Sequence, residues 1–146
     1  MNAFKNAGLP IKFVQIGNEI NDGFLWPVGK ASQSGFNNLS QLLHSASSAV
    51  RTASPSSRIM IHLANGWKYD TINWFFSNVF YQGAFSTSDF DVFGFSMYPF
   101  YGTSATLSSL KSSLTNVVNW FNKVGSIMKS NTPQANAAIG HHCRRN

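Results

Sequence analysis

The sequence predicts an α/β fold built on a parallel sheet. Three short runs of β-branched and aromatic residues are each followed by a polar loop and then by a helical pattern, and a fourth run follows the last helix. Strands that alternate with helices are connected as βαβ units, in which neighbouring strands are parallel. At 146 residues, the chain has the length of one domain with a substantial core.

The first elements follow one another in a regular order. Lys12 to Gly17, "KFVQIG", is the first predicted strand, and it is followed by a long polar loop. A helix begins near Asn37, because leucine, alanine and valine then recur at helical spacing up to a stop at "TASPSS". Arg58 to Leu63, "RIMIHL", is the second strand, and an aromatic-rich helix is predicted from about Thr71 to Tyr81.

The later elements repeat this order. Phe90 to Phe95, "FDVFGF", is the third strand, and apolar residues from Leu107 to Phe121 mark an amphipathic helix of about 20 residues. Gly125 to Lys129, "GSIMK", is predicted as a fourth strand. Because no periodicity follows Pro133, we divide the chain into an α/β domain over residues 1–133 and a divergent, disordered tail over residues 134–146.

Two architectures have this order of elements. One is an open parallel sheet, and the other is a (β/α)8 barrel, of which four strand units supply about half. No Gly-x-Gly-x-x-Gly sequence follows a strand, so the dinucleotide-binding form of the open sheet loses its main support. The predicted fold is therefore a partial barrel, with the open parallel sheet as the alternative.

Composition and charge argue against several classes of function. Eleven basic residues against five acidic ones give a net charge of +6, but the bases are dispersed singly, which argues against nucleic-acid binding. No apolar run approaches the ~20 residues of a membrane span, and the first ten residues lack the apolar core of a secretion signal. His141, His142 and Cys143 are too few and too crowded for a metal site, so no metal or cofactor is expected.

Side chains suited to binding a sugar follow each of the first three strands. Because the carboxyl ends of parallel strands share one face, we expect these side chains to converge. Tryptophan and tyrosine rings stack on a pyranose, while asparagine, histidine and serine bond its hydroxyl groups. Taken singly, Trp67 also fits a packing role, and His62 also fits a core histidine with its hydrogen bonds satisfied. The candidates are Asn18, Glu19, Trp26, His62, Asn65, Trp67, Ser96, Tyr98 and Tyr101.

Glu19 is the only glutamate in the chain, and it stands directly after the first strand. Hydrolysis of a glycosidic bond uses two carboxyl groups, one as a proton donor and the other as a nucleophile or base. Glu19 fits the donor, and Asn18 is placed to hold a sugar hydroxyl or to steer the carboxylate. Of the four aspartates, only Asp22 is close to Glu19 along the chain.

Four ordered blocks of the sequence resemble a known enzyme family. They are "VQIGNEINDGFLWPVGK", "LLHSASSAVR", "IMIHLANGW" and "SDFDVFGFSMYPFYGTSATLSSLKSSL". The blocks are similar to the fungal arabinogalactan endo-β-1,4-galactanases of glycoside hydrolase family 53, which are retaining (β/α)8 enzymes of clan A. The resemblance implies an internal segment with barrel strands four to seven. It also implies hydrolysis of β-1,4-galactan or arabinogalactan of pectin, and an extracellular location for the full-length family.

The resemblance also implies roles for individual residues. Glu19 corresponds to the general acid/base and Asn18 to its positioning neighbour, whereas Lys129 stands where the family has its nucleophilic glutamate. Ala64 is a second departure, at a position that is typically an aspartate. The resemblance therefore implies an impaired enzyme, and the alternative is a non-catalytic remnant that at most binds galactan weakly. The unpaired edges of a half-barrel also predict self-association.

Overall fold

The computed structural model describes residues 1–32, 35–100 and 104–130. Within these ranges the strands are β1 (Phe13–Ile16), β2 (Arg58–Leu63) and β3 (Val92–Phe95). The helices are α1 (Asn2–Asn6), α2 (Phe36–Ala53), α3 (Tyr69–Tyr81) and α4 (Leu107–Ser130), and a short 3-10 helix (Ile20–Asp22) follows β1. The strands form a parallel sheet in the order β1-β2-β3.

The strand register divides the side chains between two faces of the sheet. Gln15 pairs with Met60 and His62 pairs with Gly94, so alternate residues of the three strands share a face. On the other face, Ile61 and its neighbours belong to one core cluster together with side chains of α2, α3 and α4. The three long helices therefore cover one face, and the opposite face, which we call the open face, carries the four paired residues.

This arrangement is that of a barrel segment. Consecutive strands are neighbours, and the helices between them lie on one side of the sheet. A doubly wound sheet reverses its strand order and carries helices on both faces. Neither feature is present in the part of the chain that the structure describes, so the prediction of a partial barrel is confirmed.

Aromatic rings fill the core between α3, α4 and β3. Phe76 of α3 is fully buried, and its ring centroid lies 4.9 Å from that of Phe93 in β3 and 5.5 Å from that of Phe121 in α4. The planes of these ring pairs are inclined at 80° and 83°, the edge-to-face arrangement that aromatic quadrupoles favour. One face of the aromatic helix thus fixes both the sheet and the last helix.

The fourth predicted strand is wrong. Gly125 to Ser130 continue α4, so Lys129 lies in the last turn of a helix and not at the carboxyl end of a strand. Val117 and Val124 are both buried, which shows that the apolar face of α4 extends at least to Val124. One glycine costs a helix only about 1 kcal/mol relative to alanine, too little to end it here. The predicted tail, residues 134–146, lies outside the described residues.

Asp91 connects α2 to the start of β2. Its carboxylate accepts hydrogen bonds from the Ile59 N–H at 2.7 Å and from the Arg51 guanidinium at 3.0 Å. Burial by itself would raise the pKa of Asp91. The two hydrogen bonds and the charges of Arg51 and Arg58 outweigh that effect, so the pKa of Asp91 lies below its usual value.

We expect Asp91→Asn to make the stability of the chain less sensitive to acid. The lowered pKa means that Asp91 stabilises the fold fully above its unfolded pKa of about 3.9, and progressively less as pH falls through the folded value. The side chains of Arg51 and Asp91 are 34% and 32% exposed, so solvent screening limits the contribution to about 1 kcal/mol or less. We expect urea unfolding to show that the free energy of unfolding of wild type exceeds that of Asp91→Asn by less below about pH 4 than at neutral pH.

The exposed Asp70→Asn variant is the control for this prediction. The difference in unfolding free energy between Asp70→Asn and wild type should change less with pH than the difference between Asp91→Asn and wild type. A difference between wild type and Asp91→Asn that stays constant across the acid range would contradict the assignment.

Candidate functional site

The carboxyl ends of the three strands meet at one edge of the sheet. Asn18 and Glu19 follow β1, His62 is the penultimate residue of β2, and Ser96 follows β3. This is the edge at which parallel α/β folds bind their ligands.

Glu19 has a left-handed backbone, with φ 51° and ψ 47°. Such a conformation costs an ordinary residue about 1–3 kcal/mol, and it persists only where the surroundings hold it. The turn is tight, because a Cβ on Gly17 would lie 2.4 Å from Cγ2 of the buried Ile20. Glu19 is thus one of three non-glycine residues with a positive φ in the described part of the chain, together with Leu25 and Asn65.

His62 contacts the ends of both neighbouring strands. Its Nδ1 lies 3.0 Å from Asn18 Oδ1 and 3.3 Å from the backbone nitrogen of Glu19. Its Nε2 lies 3.1 Å from Ser96 Oγ. The structure thus brings these four predicted residues together, but it engages both ring nitrogens of His62 within the protein rather than with a sugar.

Asn21 and Gln15 also lie at this edge, although they are not among the site residues predicted from the sequence. Asn21 Oδ1 accepts the N–H of Ala64 at 2.6 Å, and its Nδ2 donates to the Ala64 carbonyl at 3.2 Å. These two bonds fasten the 3-10 helix to the loop after β2. No sequence signal marks Asn21. Gln15 could have been predicted, because alternate residues of neighbouring strands share a face and this places Gln15 on the same face as His62. The Nε2 atom of Gln15 lies 3.2 Å from Asn18 Oδ1.

The predicted aromatic platforms include two exposed rings. Trp26 is 58% exposed and Tyr98 is 53% exposed. The Trp26 indole N–H donates to the Asp22 carbonyl at 3.0 Å, and the Lys30 ammonium lies 4.8 Å from the ring centroid. Tyr101 lies outside the described residues. Trp26 is therefore fixed at its nitrogen end while its ring is exposed to solvent.

Trp67 packs its ring inward, in keeping with the packing role that the sequence also allowed, and its stacking role stays a prediction. Trp67 is 8% exposed, and its buried Nε1 has no hydrogen-bond partner among the described residues. It lines a cavity of about 490 Å³ beside the first turns of α3 and α4. The preceding Gly66 lies close against β3, because a Cβ there would be 2.7 Å from Phe95 Cβ. Asn65, with φ 60°, shapes this turn, and its carbonyl accepts the Lys68 N–H.

The chemistry available at this edge is proton transfer at one carboxyl group. Glu19 is the sole glutamate of the sequence, and Asp22 is the last residue of the adjoining 3-10 helix. Within the described ranges, no three His, Cys, Asp or Glu side chains are grouped as metal ligands. None of the helices described there is both long and apolar enough to cross a membrane.

Comparison with known proteins finds similar sequences over nearly the whole chain. The family model for glycosyl hydrolase family 53 matches residues 1–143. The chain is 47% identical over 135 residues to an arabinogalactan endo-β-1,4-galactanase of Humicola insolens. It is also 47% identical over 134 residues to a protein of that name from Thermothelomyces thermophilus. These alignments cover 91% and 90% of this chain, which spans 40% of the length of each relative.

Two solved structures are also similar to this chain. One belongs to a study of two fungal β-1,4-galactanases and has a TM-score of 0.78 at 49% identity. The alignment covers 83% of this chain and 36% of the galactanase chain. The other is a family 53 catalytic domain of Ignisphaera aggregans, with a TM-score of 0.57 at 36% identity, covering 77% of this chain and 29% of that one.

Proposed function

The chain belongs to glycosyl hydrolase family 53, and we propose that it carries the acid/base half of a site that hydrolyses β-1,4-galactosidic linkages. The observation that carries this proposal is the position of Glu19. The only glutamate of the chain stands at the carboxyl end of a parallel strand, in a left-handed backbone beside Asn18 and His62. The names of the relatives support galactan or arabinogalactan as the substrate, and the resemblance of the sequence blocks implies that it comes from pectin.

The proposed mechanism is retaining and uses two carboxyl groups. One carboxylate attacks the anomeric carbon while a carboxylic acid protonates the departing sugar oxygen. Glu19 takes the second role, and its carboxylate then removes a proton from the water that attacks the glycosyl intermediate. Asn18 holds a sugar hydroxyl or steers the carboxylate, and the exposed rings of Trp26 and Tyr98 supply surfaces for the pyranose.

We propose that hydrolysis by this chain alone is strongly impaired. By resemblance, Lys129 corresponds in sequence to the attacking glutamate of the family, and an ammonium group cannot form the glycosyl ester. Lys129 lies in the last turn of α4, away from a strand end, so this position offers no carboxylate in that role either. No second glutamate exists to replace it. Covalent catalysis supplies a large part of the barrier lowering in such enzymes, so its loss removes several orders of magnitude in rate.

The acid/base role is tested by supplying a nucleophile from solution. Azide ion attacks the anomeric carbon of a β-1,4-galactan, the glycosidic C–O bond breaks, and the Glu19 proton passes to the departing sugar oxygen. The product is an α-galactosyl azide, which mass spectrometry detects. We expect azide-dependent product from the wild-type chain and none above background from Glu19→Gln.

Asp22→Asn is the matched control, because it removes the nearest carboxylate in sequence and should retain the azide product. Absence of product from the wild-type chain at every azide concentration would refute the acid/base role. Equal yields from wild type and Glu19→Gln would refute it as well.

A second candidate function is galactan binding without hydrolysis. Its support is the combination of a single glutamate with the half-exposed ring of Trp26. Titration with a β-1,4-galactan oligosaccharide should then perturb the tryptophan fluorescence saturably and yield no galactosyl azide. Trp26→Ala should weaken the binding, whereas Trp74→Ala, which removes a 46% exposed tryptophan on α3, should not.

Family membership also supports an extracellular setting, which we propose for the full-length protein together with a polysaccharide substrate. We further propose self-association of this chain. Among the described residues, β1 and β3 are the edge strands of the sheet, and Val118 on α4 is 58% exposed. Light scattering over a range of concentrations would detect the association, and a monomer at every concentration would exclude it.

A further inference from the structure

The His62 imidazole lies on the open face of the sheet, between the ends of β1 and β3. Its Nδ1 faces two groups in the turn after β1, which are Asn18 Oδ1 and the Glu19 N–H. Its Nε2 faces Ser96 Oγ, whose serine is 9% exposed. The ring therefore connects the turn that holds Glu19 to a buried hydroxyl across two strand pairings.

The two groups beside Nδ1 require opposite hydrogen-bonding roles of this nitrogen. Nδ1 has one position in the ring plane, which holds either a proton or a lone pair. The N–H of Glu19 needs an acceptor there, whereas the oxygen of Asn18 needs a donor. A backbone N–H can only donate, but a terminal amide can turn by 180° and present its NH2 group in place of its oxygen.

We propose that His62 is a positioning residue for Glu19, neutral and protonated at Nε2, which accepts the Glu19 N–H at Nδ1. Nε2–H then donates to Ser96 Oγ, and the Asn18 amide turns its NH2 group toward Nδ1. This turn gives up the 3.2 Å contact from Gln15 Nε2 to Asn18 Oδ1, but Gln15 Nε2 keeps its 2.9 Å hydrogen bond to the Gly17 carbonyl, and both amides are exposed to solvent. The inference rests on the proposed function, in which Glu19 is the acid/base.

The bond to Nδ1 positions Glu19 because it holds a backbone that would otherwise relax. An L-residue leaves the left-handed region unless its neighbours hold it there, and the direction of the side chain changes with φ. Gly94 leaves space for the His62 ring, which holds the Glu19 backbone. A Cβ on Gly94 would lie 3.0 Å from His62 Cδ2 and 2.8 Å from Met60 Sδ, so a larger residue at this position would crowd the imidazole.

The tautomer of His62 is the first test, and it is measured on the wild-type chain. Long-range ¹⁵N–¹H correlation spectra of the labelled full chain at mildly alkaline pH distinguish the two neutral tautomers. The His62 signals are assigned by their loss in His62→Gln. We expect a protonated-type shift for Nε2 and an unprotonated-type shift for Nδ1. A protonated Nδ1, or the averaged shifts of a free imidazole, would overturn the inference.

The second test uses two isosteric variants. In His62→Asn the side-chain amide lies near the former Nδ1, and in His62→Gln it lies near the former Nε2. We expect the strong amide-to-Hα NOE within Glu19, which marks positive φ, to persist in His62→Asn and to be lost in His62→Gln. Unchanged amide signals of Ile59 and Ile61 would show that the sheet is intact in both variants.

Survival of that NOE in His62→Gln would show that His62 does not hold Glu19. Neither measurement depends on hydrolysis. A chain with the expected tautomer and no galactosyl azide product would therefore contradict the proposed function and still support the positioning role of His62.

Discussion

Phe76→Ala is expected to lower the free energy of unfolding by about 3–5 kcal/mol, the range for truncating a buried phenylalanine. Phe76 has no exposed surface, and its ring centroid lies within 4.9–6.1 Å of the centroids of five other phenylalanine rings. Alanine removes the contact that joins α3 to β3 and α4, and the surrounding rings cannot all move into the space. Because a domain has about 5–15 kcal/mol of stability in total, the variant should be close to unfolding.

Urea unfolding followed by circular dichroism measures this loss. Phe100→Ala is the matched control, because Phe100 is 95% exposed and its truncation should change stability by less than about 0.5 kcal/mol. A loss below about 1 kcal/mol for Phe76→Ala would mean that the aromatic cluster is loosely packed, contrary to the structure.

Gly23→Ala is expected to open the loop that carries Trp26. Gly23 has φ 85° and ψ −168°, a region in which other residues are strained by about 1–3 kcal/mol. A Cβ there would lie 1.9 Å from the Gly29 carbonyl oxygen and 2.7 Å from the Ala31 nitrogen, and both are backbone atoms that cannot move aside alone. The hydrogen bond from the Ala31 N–H to the Asp22 carbonyl, 2.9 Å long, should therefore break.

Amide hydrogen exchange at Ala31 measures the opening, and we expect it to accelerate at least about tenfold, since a factor of ten corresponds to about 1.4 kcal/mol. Gly8→Ala is the matched control. Gly8 also has a positive φ, of 68°, but a Cβ there would have no atom within 4 Å. Similar acceleration in both variants would show that crowding against Gly29 is not the cause.

Much of the fold could be predicted because the hydrophobic pattern reports burial directly. β2 has the predicted bounds, and the buried Ile59 and Ile61 alternate with Met60 on the open face, as a strand requires. β3 is shorter than predicted, and the reason lies in its first residues. The Asp91 carboxylate, not a strand carbonyl, takes the Ile59 N–H, so the regular strand begins only at Val92.

The rest depended on contacts between distant parts of the chain. The convergence of Asn18, Glu19 and His62 follows from parallel strands, but the left-handed backbone of Glu19 leaves no sequence signal. Asn21 hydrogen-bonds to the backbone of Ala64, 43 residues away, and such a partner cannot be predicted from an isolated asparagine in a loop. Whether a tryptophan after a strand faces solvent or packs inward, as Trp67 does, depends on where α4 lies.

The shape of the sheet limits how copies of this chain can join. In a parallel sheet the two edges are different surfaces, and within the described ranges one edge is β1 and the other is β3. The β3 edge of one copy would pair in parallel with the β1 edge of the next, so the contact is head-to-tail and leaves a further edge open. Because the three long helices that the structure describes lie on one face, successive copies would bend in one direction. Assembly would stop only where the rotation between copies closes a ring and would otherwise continue as a filament, so its size would be set by curvature rather than by the number of binding surfaces.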